Sequence, residues 1–144
     1  MKIIGRKDRI DLPEFKLYGI EAKIDTGAYG CALHCHHVEI TQLEGNPILS
    51  FKVLDPSHPE YEERTFISKV FSDKLVKSSS GEIEHRYTIK TWLTIFGKER
   101  KVEFSLTDRK EMKYPVLLGR KFLFRAFIVD VRLKNLSFQQ KQNK

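Results

Sequence analysis

Short segments in which apolar and polar residues alternate cover most of the chain and predict β-strands. The clearest segment carries Tyr87, Ile89, Thr91, Leu93 and Ile95 at every second position. After a glycine-containing turn at residues 96–98, the alternation resumes in residues 102–106. A period of two on both sides of such a turn is typical of a β-hairpin.

Further strands are expected at residues 1–4, 9–12, 16–24, 31–43, 48–54, 64–71 and 127–131, and a single short helix at residues 120–124. The serine-rich stretch at residues 77–82 lies between strand-like segments and predicts the tip of a mobile hairpin. Many short strands with one brief helix favour an all-β barrel or sandwich.

The composition is that of one soluble globular domain. The 144 residues are 40% hydrophobic and 31% charged, and a chain of this length can bury a core without disulfides or metals. We expect the domain to span residues 1–135 and the polar, basic residues 136–144 to form a disordered tail. No apolar run approaches the length of a membrane span and no signal peptide is evident, so a cytoplasmic location without membrane contact is predicted. Cys31 and Cys35 are expected to be reduced thiols.

The charge is distributed unevenly between the two halves of the chain. Residues 1–72 carry 9 Lys and Arg against 11 Asp and Glu, whereas residues 73–144 carry 17 against 8. The second half therefore has a net charge of +9 within a total of +7. This asymmetry indicates either an acidic partner, such as a peptide or nucleic acid, or a solvated basic face without a partner.

The most informative stretch is Ala22-Lys23-Ile24-Asp25-Thr26-Gly27-Ala28. A strand-like apolar pattern runs into it and stops at Asp25, and Gly27 allows a close approach of another chain. Asp, Thr and Gly are also ordinary turn residues, so a carboxylate that only binds its own backbone remains the alternative. A second element far downstream, Leu117-Leu118-Gly119-Arg120, makes a functional role for the stretch more favoured than the motif alone would.

Together, the Asp-Thr-Gly-Ala and Leu-Leu-Gly-Arg elements resemble the two signatures of retropepsin-like aspartic proteases. From about residue 4 to about residue 133, the chain resembles one bacterial family, with matching residues in the same order. That family is labelled an ATP-dependent zinc protease and is often associated with ATP-grasp ligases of the RimK type. The matching residues include Ile4-Gly5-Arg6-Lys7, Leu12-Pro13, Ala32-Leu33-His34, Glu84-His85-Arg86, Ile89-Lys90-Thr91 and Leu106-Thr107-Asp108-Arg109. The resemblance implies the closed acidic-protease barrel with one short C-terminal helix.

The resemblance also implies a mechanism. An aspartic protease needs two neighbouring carboxylates that share one proton. This chain has one Asp-Thr-Gly, because the remaining aspartates lie in other sequence contexts. The second carboxylate must then come from a second copy, so a homodimer with paired Asp25 carboxylates at its two-fold axis is predicted.

Roles for the residues around Asp25 follow from the resemblance alone. Thr26 would bond across the dimer, Gly27 would admit the substrate backbone, and Ala28 would position the loop or the substrate. Leu118 and Gly119 would close the loop from behind. Arg120 would anchor the loop or the interface.

Two positions are less defined by the resemblance. Arg86 falls near the possible flap and is either a substrate or loop-holding residue or a surface arginine. The resembling family usually has Thr or Ser after Asp-Thr-Gly-Ala, whereas this chain has Tyr29-Gly30-Cys31. Because cysteine is a poor hydrogen-bond donor, a bond that orients the site is expected to be missing.

No metal site and no cofactor is predicted. The chain lacks the H-E-x-x-H helix of a metalloprotease, the paired C-x2-C motifs of structural zinc and the phosphate-binding loop of an ATPase. Neighbouring residues of a strand point to opposite faces, so His34, Cys35 and His36 cannot converge on one ion. The cysteine and histidine side chains that could act as ligands are Cys31, His34, Cys35, His36, His37, His58 and His85.

The sequence therefore predicts a cytoplasmic aspartic-type endopeptidase that acts as a homodimer on acidic, glutamate-rich peptide or protein tails, with a functional link to an ATP-grasp ligase. A non-catalytic module that binds an acidic tail or ribosomal RNA with the same barrel is the alternative. A nucleic-acid partner is not favoured, because no aromatic stacking motif or recognition helix is evident.

Overall fold

Eleven β-strands and two short α-helices organise the computed structural model, which describes residues 1–77, 80–108 and 113–143. The strands are β1 (Lys2–Ile4), β2 (Lys7–Leu12), β3 (Leu17–Ile24), β4 (Cys31–Leu43), β5 (Asn46–Val53), β6 (Thr65–Ser68), β7 (Ser72–Lys77), β8 (Ile83–Ile95), β9 (Lys98–Thr107), β10 (Val116–Leu118) and β11 (Phe127–Val129). The helices are α1 (Arg120–Leu123) and α2 (Leu136–Gln142), and a 3-10 turn spans Pro13–Phe15.

Six of the strands close into a barrel. The order is β10, β3, β2, β8, β9, β4 and then β10 again, because β10 pairs with β3 in parallel and with β4 in antiparallel orientation. Closure leaves these strands without a free edge. The predicted all-β barrel is thereby confirmed.

The β8–β9 hairpin confirms the prediction made from the alternation of apolar and polar residues. Ile95 pairs with Lys98, and the two residues between them, Phe96 and Gly97, both have positive φ, at 52° and 70°. A two-residue hairpin loop of type I′ requires this combination. Phe96 tolerates it because its ring is buried, only 8% exposed, and its N–H donates to Ser137 Oγ at 2.7 Å.

The barrel interior holds one apolar core. Its fully buried side chains come from every barrel strand, and the alternation along each strand decides which residues point inward. The largest of them are Phe51, Phe104, Ile4, Ile10, Leu12, Ile20, Leu33, Leu49, Leu54, Leu93 and Leu118. Phe51, Leu49 and Leu54 come from β5 and its end, which cover the outer part of β4.

Outside the barrel, β5 pairs with the outer part of β4 and β6 pairs with β5, and two further pairings join β7 to β8 and β1 to β11. β7 pairs with the first half of β8, up to Lys77 opposite Ile83, which gives the hairpin expected there; its predicted tip includes Ser78 and Ser79, which lie outside the described residues. β1 and β11 form a separate parallel pair in which Ile3 stands opposite Ile128. These two side chains are 49% and 53% exposed.

The C-terminal segment differs from the expected disordered tail, because residues 136–142 form α2. The reason is a capping carboxylate supplied from the other end of the chain. Asp8 on β2 is fully buried, and its two oxygens accept the N–H groups of Ser137 at 2.9 Å and Phe138 at 3.2 Å. These N–H groups have no partner inside the helix, so the carboxylate satisfies them. Neither α1 nor α2, the two α-helices of the described residues, has the length and apolar character needed to cross a membrane.

Candidate functional site

The Asp25 loop begins where β3 ends against β10. Ile24 is buried and pairs with Leu118, and the Asp25 N–H donates to the Leu118 carbonyl at 2.9 Å. On the other side of β3, the Ile24 N–H donates to the Arg6 carbonyl at 3.0 Å. The position of the Asp25 backbone is therefore fixed from two neighbouring segments of the chain.

The Asp25 side chain is half-buried and turns back on its own loop. Oδ1 accepts the Gly27 N–H at 3.0 Å, and the Asp25 carbonyl accepts the Ala28 N–H at 3.3 Å. This is the self-bonded turn that the sequence left open as an alternative. It occupies one carboxylate oxygen only, and Oδ2 has no hydrogen-bond partner in the described part of the chain. One oxygen thus stays free for another group.

Gly119 allows the loop to pack directly on the start of α1. A Cβ at this position would lie 2.2 Å from the Gly30 carbonyl oxygen, 2.7 Å from that of Tyr29 and 2.8 Å from that of Ala28. Only glycine fits such an approach of backbone to backbone. Leu118 therefore contacts the Asp25 backbone, and Gly119 packs against the carbonyl groups of residues 28–30.

The first N–H groups of α1 complete this contact. The Arg120 N–H donates to the Ala28 carbonyl at 2.9 Å, and the Lys121 N–H donates to the Tyr29 carbonyl at 2.8 Å. Helix N-termini carry N–H groups without an intrahelical partner, and here the loop carbonyls accept from them. Residues 28 and 29 are consequently held by the helix even though they belong to a surface loop.

The side chain of Arg120 reaches the tip of the loop. Its Nη1 donates to the Thr26 carbonyl at 3.0 Å, and its guanidinium carbon lies 5.9 Å from the centre of the Tyr29 ring. The Thr26 side chain itself is exposed and has no hydrogen bond to the described residues. A single chain thus leaves the Thr26 hydroxyl and one Asp25 oxygen unpaired on the same surface loop.

Tyr29 stands where the resembling family usually has Thr or Ser, and no role for it was predicted. Its ring is 63% exposed next to Arg120. The following departure, Cys31, is buried. Burial raises the pKa of the Cys31 thiol, while a backbone hydrogen bond from Gly119 and the charge of Arg100 act in the opposite direction. The prediction that Cys31 costs the site an orienting hydrogen bond stays a prediction.

Arg86 lies on β8 opposite Lys74 of β7, in the hairpin that resembles a flap. It is half-buried, and no hydrogen bond or ion pair between described residues joins it to the Asp25 loop. The structure thus brings Asp25, Thr26, Gly27, Ala28, Leu118, Gly119 and Arg120 together. It leaves Arg86 on a separate element.

A second group of polar side chains lies where β4 meets the loop after β5. His34 Nε2 lies 2.8 Å from Asp55 Oδ2, and the His34 and His58 ring centres are 5.4 Å apart. Asp55 Oδ1 accepts from both the hydroxyl and the N–H of Ser57. The Ser57 hydroxyl holds the pKa of the Asp55 carboxyl well below its usual range, and the hydrogen bond and charge of His34 act in the same direction.

The side chains of His34, Asp55 and His58 can each offer one metal-ligating atom, and these atoms lie within 4.8 Å of one another. His34 and His58 are recognisable from the sequence as possible ligands, but Asp55 is not, because nothing in the spacing indicates that residues 34 and 55 are in contact. The other candidates lie elsewhere: His36 Nδ1 bonds the Leu54 carbonyl, and His85 Nδ1 bonds Asp73 at 2.9 Å.

Comparisons with known proteins identify the family and support the barrel fold. A family model described as "RimB-like: Retropepsin-like aspartic endopeptidase RimB" matches residues 3–140. A crystal structure of a Legionella pneumophila protein of unknown function (DUF785) superposes with a TM-score of 0.71 at 26% sequence identity, over 94% of this chain and 98% of that one.

Similar stretches also occur inside longer proteins. A "probable alpha-L-glutamate ligase" of Shewanella halifaxensis is 35% identical over 132 residues, which is 89% of this chain and 28% of that protein. A protein of the same description from Desulfotalea psychrophila is 31% identical over 137 residues, or 92% of this chain and 29% of that protein. The chain therefore spans less than a third of the length of these curated relatives.

Proposed function

The chain belongs to the RimB-like family of retropepsin-like aspartic endopeptidases, and on this premise we propose that it hydrolyses peptide bonds as a homodimer. In the proposed enzyme, the Asp25 carboxylates of two copies face each other at the two-fold axis. One ionised carboxylate removes a proton from water while the other, protonated, donates a hydrogen bond to the scissile carbonyl.

The observation that carries this proposal is the Asp25 loop itself. It is held by β10, by the N–H groups at the start of α1 and by Arg120. Yet Asp25 Oδ2 and the Thr26 hydroxyl have no partner within the described residues. A rigid loop that leaves these two groups open at the surface is what a second copy of the same loop would complete. Isologous contact of this kind is the commonest form of homodimer.

The separate β1–β11 pair supports an interface between copies. Ile3 and Ile128 are cross-strand neighbours and about half of each side chain is exposed. Phe124 and Val131, which flank β11, are 71% and 68% exposed. Large apolar side chains exposed together favour burial against a partner. We propose that this surface docks onto its copy.

The substrate proposed is an acidic, glutamate-rich peptide or protein tail. The net charge of +9 over residues 73–144 supplies a field that attracts such a chain. The curated relatives are named probable alpha-L-glutamate ligases and carry a stretch similar to this chain within a longer protein. A stretch similar to this chain thus occurs within proteins named as glutamate ligases. This supports a functional link between this chain and an ATP-grasp ligase. We place this activity in the cytoplasm, where the free thiols of Cys31 and Cys35 would persist.

The test is cleavage of a glutamate-rich peptide, followed by mass spectrometry, with a neutral peptide of the same length as the reference substrate. The parent protein should cut the acidic peptide, and Asp25→Asn should not. Glu60→Gln removes one exposed carboxylate elsewhere and should leave cleavage unchanged. Full turnover by Asp25→Asn would exclude Asp25 as the catalytic group.

The basic half of the chain also favours a second function, a non-catalytic module that binds an acidic tail or ribosomal RNA. Binding of the two peptides and of single-stranded RNA should therefore be compared at low and at physiological salt. If the chain is a peptidase, the acidic peptide should bind most tightly, and its binding should weaken as salt screens the charges. Tighter, sequence-dependent binding of RNA, without cleavage of any peptide, favours the binding module.

A further inference from the structure

His34 is a buried histidine whose hydrogen bonds are incomplete. Its side chain is only 1% exposed, and Nδ1 is buried with no hydrogen-bond partner among the described residues. Nε2 faces Asp55 Oδ2 at 2.8 Å. Because Asp55 lies on the Nε2 side of the ring, Nε2 is the nitrogen that can share a metal ion with the Asp55 carboxylate.

The backbone around His34 brings a carboxylate and a second imidazole to it. The Leu54 N–H donates to the His34 carbonyl at 2.8 Å, and Leu54 has a φ of 66°, which turns the chain as it leaves β5. Asp55 follows directly. The His58 N–H donates to the Asp55 carbonyl at 3.0 Å, so that the next residues fold back and His58 returns to the same place.

The Asp55 side chain is already oriented for this purpose. Oδ1 accepts the Ser57 N–H at 2.8 Å and also the Ser57 hydroxyl, which directs Oδ2 towards His34. Carboxylates that bind metals are commonly held by hydrogen bonds to the other oxygen in this way. Beyond His58, the Tyr61 N–H donates to the His58 carbonyl at 3.1 Å and closes the turn.

We propose that His34, Asp55 and His58 bind one divalent transition-metal ion, for which zinc is the best match. Two imidazoles and one carboxylate are a ligand set typical of zinc and related ions. The three ligand atoms lie within 4.8 Å of one another. Metal–ligand bonds of about 2.0–2.2 Å require them to approach by roughly an ångström, which rotation of the half-buried His58 can supply.

The metal would fasten the loop of residues 54–61 to β4 and so act on stability. The His34 N–H donates to the Pro115 carbonyl at the start of β10, whereas Asp25 binds Leu118 at its end. The two sites therefore lie at opposite ends of β10. A simple ion pair between His34 and Asp55 would not explain the approach of His58, whose ring centre lies 5.4 Å from that of His34. The inference does not depend on the proposed peptidase activity.

The test is titration of the full-length protein with zinc chloride by calorimetry, after removal of any histidine tag and dialysis against a chelator. The parent should bind one zinc ion per chain and gain a few degrees in Tm. Cobalt should bind the same site and give visible absorption bands. Magnesium and calcium should have no effect, because they prefer oxygen ligands.

Two substitutions at the cluster and one matched control decide the outcome. His58→Asn changes a half-buried loop residue, and Asp55→Asn keeps an oxygen for the Ser57 N–H, so that at least one variant should fold. Each should weaken zinc binding by about tenfold or more and abolish the gain in Tm. His85→Asn removes the other histidine that contacts an aspartate and should bind zinc like the parent. The proposal is overturned if the parent shows no saturable binding at micromolar zinc, or if the folded cluster variants bind zinc as tightly as His85→Asn.

Discussion

Gly119→Ala tests whether the close packing of the Asp25 loop on α1 holds the site together. The new methyl group would lie 2.2 Å from the Gly30 carbonyl oxygen, and two further carbonyl oxygens are within 2.8 Å. All three neighbours are backbone atoms of one short loop, so no side-chain rotation can relieve the overlap. The loop must move by about 1 Å before the first contact becomes even a tight one.

The expected cost follows from the contacts that this movement breaks. Overpacking a well-packed region costs about 1–3 kcal/mol. The hydrogen bonds from Arg120 N–H to Ala28 and from Lys121 N–H to Tyr29, at 2.9 and 2.8 Å, are each worth about 0.5–1.5 kcal/mol. We therefore expect the free energy of unfolding to fall by about 2–6 kcal/mol, which for a domain of this size lowers Tm by roughly 5–20 °C.

Urea and thermal unfolding of three glycine variants provide the measurement. Gly30→Ala is the matched control in the same loop, because a Cβ there meets no atom within 4 Å, and it should change stability by less than about 0.5 kcal/mol. Gly5→Ala should be destabilised as strongly as Gly119→Ala, since its Cβ would lie 2.3 Å from the Leu133 carbonyl oxygen. If Gly119→Ala is as stable as Gly30→Ala, the loop does not depend on this contact.

Peptide cleavage separates the two destabilised variants. At a temperature where both are folded, Gly5→Ala should retain more of the parent's cleavage rate than Gly119→Ala, because its displacement reaches the Asp25 loop only through the Arg6 carbonyl that accepts the Ile24 N–H, and the contact with Leu118 is kept. Gly119→Ala should lose most of it, because displacement of the loop moves Asp25 away from its partner. Equal activity of the two variants would contradict the proposed link between loop position and catalysis.

Two further predictions concern the ends of the chain. Asp8→Ala should lower the free energy of unfolding by about 2–4 kcal/mol, because it leaves the N–H groups of Ser137 and Phe138 without their buried acceptor; urea unfolding measures this, and a change within the error of the parent would show that α2 contributes nothing. Ile128→Asp should shift the protein from dimer to monomer in sedimentation, whereas Ile67→Asp, at a 55% exposed position on β6, should not, and an unchanged dimer would exclude the β1–β11 surface as the interface.

The features that could be predicted from the sequence are those in which local pattern and structure agree. Tyr87 to Ile95 alternates because one face of β8 is buried, and Gly97 takes the positive φ that its turn requires. The pairing of the Asp25 loop with Leu118 and Gly119 was accessible through the resemblance, although the residues are far apart in sequence. In each case the signal lies in a short, continuous stretch.

The features that could not be predicted depend on contacts between distant residues. The residues next to α2 carry no capping signal that predicts the helix. Its acceptor is Asp8, which lies 129 residues away, and Asn135 before the helix is left-handed, with a φ of 57°. Likewise, Asp55 reaches His34 only because Leu54 turns the chain with positive φ. Such tertiary contacts override local propensity, and a single sequence does not reveal them.

The most direct test of catalysis by paired Asp25 carboxylates is the activity of mixed dimers. Parent protein and Asp25→Asn are combined at fixed total concentration, allowed to exchange subunits, and assayed on the glutamate-rich peptide. If both carboxylates are needed, activity should follow the square of the parent fraction, so that an equal mixture retains about one quarter of the parent activity. A linear dependence, with about one half retained in the equal mixture, would show that each chain acts alone and would contradict the paired-aspartate mechanism.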